Sequence, residues 1–307
     1  MAGITRFNPV AVQNYGIPMV GRGTGFAFQS RVPYWVNANG GNNGRDGLSP
    51  SDGLATVSAA LARAKAGDTI IVFPGSYNEN IVVTLDYITI IGAVTSGYGR
   101  PDFVPDSGVS LTVNAQGFRA QQCRFAGTAA DGVQQKGNGF EYNDCVFDGD
   151  GTASKAGLRY LPSSTNTHLT ASEGKVLNSL IRGNAIGLAF DTGAAPVGVG
   201  STDNLVQGNR FYSNTLDIAA EKTGAAGTYS LQLTDILQNI FADKNKTCYI
   251  DMTTNADGAA GDQTGTISGN AFAADAINTT RVKMVGTGFT FAGNFDTVGV
   301  VDGSALD

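Results

Sequence analysis

The 307-residue sequence predicts an all-β solenoid, a parallel β-helix of short strands joined by tight turns. Three observations carry that prediction. The run GFRAQQCRF at 117–125 returns as GFEYNDCVF at 139–147, so that Gly117, Phe118, Cys123 and Phe125 match Gly139, Phe140, Cys145 and Phe147 at one constant offset. A repeat of that length is one supersecondary unit stacked on a copy of itself, because a single unit cannot bury its own apolar face. The apolar runs DTIIVF (68–73), NIVVTL (80–85), YITIIG (87–92) and VSLTV (109–113) are short and rich in branched residues, as strands are. Finally, 42 glycines supply turn positions every few residues and would damage helices.

Taken in order, residues 1–34 read as an extended N-terminal arm. Phe7, Tyr15, Phe26 and Phe28 lie beside Asn8-Pro9 and Ile17-Pro18 without a strand-length apolar run. Such a segment has little to bury within its own chain, so residues 1–30 are the candidate anchor to a partner, with a self-packed terminus as the other reading. Gly21, Gly23 and Gly25 resemble half of a dinucleotide fingerprint, but no strand precedes and no helix follows them. No cofactor is expected. The β-helix is assigned to 35–307 and opens with a capping helix at 54–66. Ser51 or Asp52 would be its N-cap, Gly67 its C-terminal glycine, and Leu54, Val57, Leu61 and Ala64 its apolar face. Laid across the open end of the solenoid, that helix would hide unpaired strand edges.

Behind it the repeat continues in degenerate form: LNSLIRGN (177–184), VQGNRFYSN (206–214), LQNIFADKN (237–245), ISGNAFAAD (267–275) and FAGNFD (291–296). Asn209, Asn239, Asn270 and Asn294 recur with a Phe close behind each. An Asn at a fixed bend of each coil can take the left-handed conformation and bond the Asn above and below, while the Phe points inward. From Asp68 to Asp296, at about 25 residues per coil and about 4.8 Å per rung, the rod holds about nine coils and is about 43 Å long.

The segment 37–83, NANGGNNGRDGLSPSDGLATVSAALARAKAGDTIIVFPGSYNENIVV, resembles the opening of right-handed parallel β-helix proteins of the pectin-lyase-like superfamily, bacteriophage tailspikes and other virion spikes included. The resemblance rests on a Gly-rich turn, a capping helix, the strand Gly67-Asp68-Thr69-Ile70, and the turn containing Pro74, Gly75, Tyr77 and Glu79. It implies the fold and says little of activity. The resemblance implies that polysaccharide-cleaving tailspikes usually carry longer β-helices and a separate C-terminal trimerisation region, which a sequence closing on FDTVGVVDGSALD is not expected to include. The expectation is therefore a structural protein of a bacteriophage virion, a capsid decoration or head spike anchored through residues 1–30 and trimeric. The alternative is a tailspike-like protein that binds or cleaves host surface polysaccharide.

Composition narrows the partners. With 26 acidic and 20 basic residues the net charge is −6 and the pI about 4.8, so nucleic acid is not the expected partner. No apolar stretch reaches membrane-spanning length and the N-terminal run MAGITRFNPVAVQNYG lacks an apolar signal core, so the chain is expected to be made in the host cytoplasm and to reside in the virion. Of the three cysteines, Cys123 and Cys145 should stack in adjacent coils as buried free thiols, although their spacing would permit a disulfide, and Cys248 reads as a lone structural thiol. Arg119 aligns with Glu141 one coil away, an architectural pair contributing at most about 1 kcal/mol.

Catalytic residues are not assigned. The single histidine, His168, lies in a polar run and cannot build a relay or a multi-histidine metal site. Glycan hydrolysis would need two carboxylates about 5 to 9.5 Å apart. The candidate pairs are Glu141 with Asp144, Asp217 with Glu221, and Asp148 with Asp150, each also readable as turn or surface residues. Asp148-Gly149-Asp150-Gly151 lacks the further oxygen ligands of a calcium loop and reads as a turn, so no metal is expected.

Overall fold

The computed structural model describes residues 33–94, 99–152, 155–163, 169–191, 201–221, 231–244, 246–252, 264–274, 277–284 and 288–301. The arm and His168 lie outside the described residues. Within them the chain winds as a parallel β-helix with three long sheets of ten, eight and ten strands. Each of the first eight coils contributes one strand to each sheet, and the last contributes one to the first sheet and one to the second. In one coil these are Arg119–Gln121 in the first sheet, Arg124–Ala126 in the second and Val133–Gln135 in the third. The next coil begins with Glu141–Asn143 directly above, Tyr142 in register with Ala120. Tyr34–Val36 forms a lone first rung, so the ten strands of the first sheet give nine coils, from Thr69–Val72 to Phe289–Ala292.

Successive rungs of the first sheet pair Ile70 with Ile90, Tyr142 with Val176 and Val176 with Val206, so the length of chain between rungs changes from coil to coil. The strands are constant and the connections absorb the difference, which is why the sequence repeat loses its constant offset beyond Phe147. Period-2 alternation sends every second side chain into the barrel. Phe103, Phe125, Phe147, Ile181, Phe211, Phe241 and Phe272 form one inward column on the second sheet, all buried. Ring centroids stack at 5.3 Å (Phe103 to Phe125), 6.1 Å (Phe125 to Phe147) and 4.6 Å (Phe241 to Phe272). Gly117 shows what the first glycine of the repeat does: its φ is +65°, and a Cβ there would lie 2.2 Å from the Tyr87 ring.

The capping helix is shorter than the sequence suggests. It spans Val57–Leu61, with Thr56 as N-cap accepting from the Ala59 N–H. Ser51 and Asp52 instead belong to a 3-10 turn at Pro50–Asp52. Leu54 is drawn into a parallel bridge with Val36, its N–H donating to Trp35 O at 2.8 Å, and that pairing keeps the preceding residues out of the helix. The expected role survives, since Val57 and Ala60 are buried against Tyr34–Val36, Thr69–Val72 and Ile81–Val83 at the open end of the barrel. Glu79 fixes the helix by accepting from the N–H groups of Val57 (2.7 Å) and Ser58 (2.9 Å), and the Tyr77 hydroxyl donates to Phe73 O at 2.8 Å. The Tyr and Glu of the 74–79 turn are thus an N-terminal clamp.

The asparagine ladder exists, with one correction. Asn239 Oδ1 accepts from the N–H (2.9 Å) and Nδ2 (3.1 Å) of Asn209, and Asn270 and Asn294 repeat the pattern above. The left-handed residue is the one before each of them: Gly208, Gln238, Gly269 and Gly293 all have φ between +55° and +69°. The two-residue turn needs one left-handed bend, and placing it first leaves the Asn side chain free to point inward and bond backbone carbonyls, as Asn239 Nδ2 does with Val206 O. Below Ser179 the same position holds Cys145 and Cys123, both free and buried. Burial pushes the Cys145 thiol up to about 12 and Cys248 to about 11, so all three behave as small apolar groups.

Candidate functional site, an arginine-lined groove on the second sheet

On either side of the inward aromatic column, the second sheet turns two rows of side chains outward. One row runs Asp102, Arg124, Val146, Leu180, Arg210, Ile240 and the other Ala126, Asp148, Arg182, Tyr212. Beside them the turn residues Asp144, Asn178 and Gly208 form an edge, and Arg100 reaches in from an earlier coil. Arg100, Arg124, Arg182 and Arg210, with Val146, Leu180, the three edge residues and the turn residues Cys145 and Ser179, line a cavity of about 490 Å³, and Asp102, Asp148, Tyr212 and Ile240 stand in the outward rows beside it. Gly208 keeps that edge low: its φ is +69°, and a Cβ there would meet Asn178 Oδ1 at 2.8 Å.

Four arginines meet here in a chain whose net charge is negative. Arg100 holds Asp144 at 2.6 Å. Arg124 bridges Asp102 (2.5 Å) and Asp148 (2.9 Å), and Arg182 takes the same Asp148 oxygen at 2.9 Å. Burial pulls the Arg124 guanidinium down, but Asp102 and Asp148 outweigh it and hold it above its ordinary value. Arg210 is exposed and makes no ion pair among the described residues. Four guanidinium groups against three carboxylates leave the groove one positive charge in excess. Tyr212 (51% exposed) and Ile240 (48%) flank Arg210, so the cationic end of the groove also carries apolar surface.

The outer side of the third sheet carries a second charged cluster. Arg159 is buried, with Nε 3.0 Å from Asp131 and Nη1 2.6 Å from Asp191 as well as bonded to Glu221. Burial lowers its pKa and the carboxylates more than restore it. One coil-turn away, Asn214 Nδ2 donates to Asp217 Oδ1 at 2.9 Å and Lys246 Nζ approaches the same oxygen at 2.5 Å. Burial raises the Asp217 carboxyl to about 6, with Lys246 and Asn214 pulling it back.

None of the three expected carboxylate pairs is engaged as a pair. Glu141 stands on the outer face of the first sheet, in register with Arg119 and Lys175, while Asp144 is held by Arg100. Asp217 belongs to Lys246 and Glu221 to Arg159. Asp148 joins two arginines, whereas Asp150 accepts from the N–H groups of Ala129 and Thr152, as a turn residue does. Sequence reasoning missed the arginines because it sought catalytic types. The signal was present: once the inward Phe column is fixed, its two neighbours in Arg124-Phe125-Ala126, Leu180-Ile181-Arg182 and Arg210-Phe211-Tyr212 must face outward.

No protein-family profile and no curated protein sequence matches the chain. Among solved structures the chain is similar to the pectate lyase Pel9A, at 16% identity and a TM-score of 0.60 over 91% of this chain and 79% of that one. It is also similar to a pectin methylesterase from Aspergillus niger, at 11% identity and a TM-score of 0.48 over 91% and 89% of the two chains. A third similarity is to the tailspike protein of E. coli bacteriophage HK620 in complex with a pentasaccharide, at 14% identity and a TM-score of 0.46 over 78% of this chain and 46% of that one. The first of these shows the fold alone, a right-handed parallel β-helix.

Proposed function

We propose that the protein is a rigid, spike-like structural component of a bacteriophage particle, held through residues 1–30, that binds host surface polysaccharide along its second sheet rather than cutting it. The groove carries this reading. Its outward rows repeat about every 4.8 Å along the rod, a spacing that lets successive rungs follow an extended polymer. Arginine forks and an exposed tyrosine are the side chains suited to sugar hydroxyls, acid groups and pyranose faces. Of the candidate acids, Asp144, Asp148, Asp150, Asp217 and Glu221 are tied to arginine, lysine or backbone N–H groups, and no candidate pair keeps both members untied. Placement in a particle draws on the resemblance of 37–83 to virion spikes, as does a trimeric state, which mass photometry checks.

The test is a pair of measurements on the full chain and on a chain lacking residues 1–30. Both should bind host polysaccharide by titration calorimetry without releasing reducing sugar, and only the full chain should co-sediment with particles. Turnover abolished by a single carboxylate substitution would return the protein to the enzymes. Absence of binding to every host polysaccharide would remove the glycan role.

A further inference from the structure

Arg210 differs from the other three arginines of the groove in making no ion pair among the described residues, while the Asp144 that shares its cavity is held by Arg100. Its in-register neighbours are Leu180 below and Ile240 above, neither able to accept a hydrogen bond from a guanidinium through its side chain. The other charged groups facing the groove are already matched: Asp144 to Arg100, Asp102 to Arg124, and Asp148 to Arg124 and Arg182. A guanidinium presents five donors in a planar fork that fits two acceptor oxygens of one acid group. Those donors are met here only by solvent or by a ligand. Tyr212 lies two residues along on the same outward side, in register with Arg182, and the residue is 51% exposed. The two positions lie about 6.6 Å apart along the strand, the scale of one sugar residue.

We infer that Arg210 is an open anion position, taking one acid group of an anionic polysaccharide, a carboxylate or a sulfate ester, while Tyr212 packs against the sugar ring that bears or adjoins it. The inference rests on the glycan-binding reading above and names its ligand class. The arginine–aspartate contacts beside it orient the groove and keep its remaining charge close to neutral, so that selectivity falls on the one unmatched guanidinium. Because the chain as a whole is acidic, polyanion binding here needs a local cause, and this cluster supplies it.

Three polymers with one backbone test this: neutral dextran, carboxymethyl-dextran and dextran sulfate, titrated into the full chain at fixed ionic strength. We expect at least one charged polymer to bind tenfold or more tightly than neutral dextran, and which one binds better identifies the acid group. Arg210→Ala should lose that preference, Arg210→Lys should restore part of it, and Tyr212→Ala should weaken charged and neutral polymers alike. Lys175→Ala, an exposed cation on the first sheet, is the control and should change nothing. Arg210 and Tyr212 are exposed, and circular dichroism and melting confirm that each variant is folded. Equal affinity for neutral and charged dextran, or an Arg210→Ala variant that keeps the preference, overturns the anion position while leaving the glycan role standing. Equal loss in Lys175→Ala reduces the effect to overall charge and overturns it too. If no polysaccharide of any kind binds, both readings fall together.

Discussion

The turn between the first and second sheets is built in two ways along the rod. In the earlier coils it holds Cys123 and Cys145, whose thiols are buried and make only weak contacts, such as Cys145 Sγ to Ala120 O at 3.5 Å. From Asn209 to Asn294 the same position carries a continuous polar ladder in which each side chain serves its neighbour below and a backbone carbonyl. Ser179 joins the two segments by accepting from the Cys145 N–H at 3.0 Å and donating to Leu177 O. The aromatic column is likewise split, with Ile181 separating Phe147 from Phe211. A thiol stack fills space and tolerates change. An amide ladder is satisfied only as a whole, because each buried Asn is acceptor for one coil and donor to another.

The largest expected effect strikes both segments alike. Phe125→Asp in the lower aromatic stack and Phe241→Asp in the upper one should each prevent folding, since an unpartnered buried carboxylate costs several kcal/mol on top of the lost apolar burial. A soluble product of either variant with a cooperative melting transition would show that the column is not the core. The two turn types separate at the next level. Asn239→Ala orphans the Asn209 N–H and one of the two Nδ2 hydrogens, the other still donating to Val176 O, at about 1–3 kcal/mol for each orphaned group. Cys145→Ala removes one sulfur atom and should cost about 1 kcal/mol. Urea unfolding of both variants measures the ratio, and equal destabilisation would mean that the ladder is no more cooperative than the thiol stack.

A pH-dependent effect concerns the polar cluster beside the upper coils. Asp217 has a folded pKa of about 6, above the ordinary carboxylate value near 4. The folded state therefore holds a proton that the unfolded chain has released, so this contribution is complete at low pH and is lost as pH rises through about 6. Between pH 4 and pH 7 the stability difference between wild type and Asp217→Asn should move in favour of the variant, by up to about 3 kcal/mol. A difference that stays constant across this window would show that Lys246 keeps the carboxylate ionised throughout.

Much of this was legible in the chain. The constant offset that matches Gly117 to Gly139 and Phe125 to Phe147 identifies stacked coils because a solenoid repeats the same environment at each rung, and equal environments select equal residues. The recurring Asn set the ladder, and Phe211, Phe241 and Phe272 behind them set the inward column, for the same reason; Phe295 directly follows Asn294, pairs with Ala271 and faces outward at 48% exposure, so the expected inward Phe fails in the last coil. The segment length gives nine coils. The extent of the capping helix was not legible, since Leu54 has helical neighbours in sequence but pairs with Val36 across the end of the barrel. Nor was the left-handed residue of the turn, because both members of each pair, Gly208-Asn209 or Gln238-Asn239, tolerate the sequence constraints and only the ladder geometry chooses. The arginine groove is the clearest case. Arg100, Arg124, Arg182 and Arg210 are far apart in the chain and share no motif. Local patterning dictates which way each side chain faces, whereas the lengths of the connections decide which rungs stand side by side, and only the wound chain brings those four charges onto one surface.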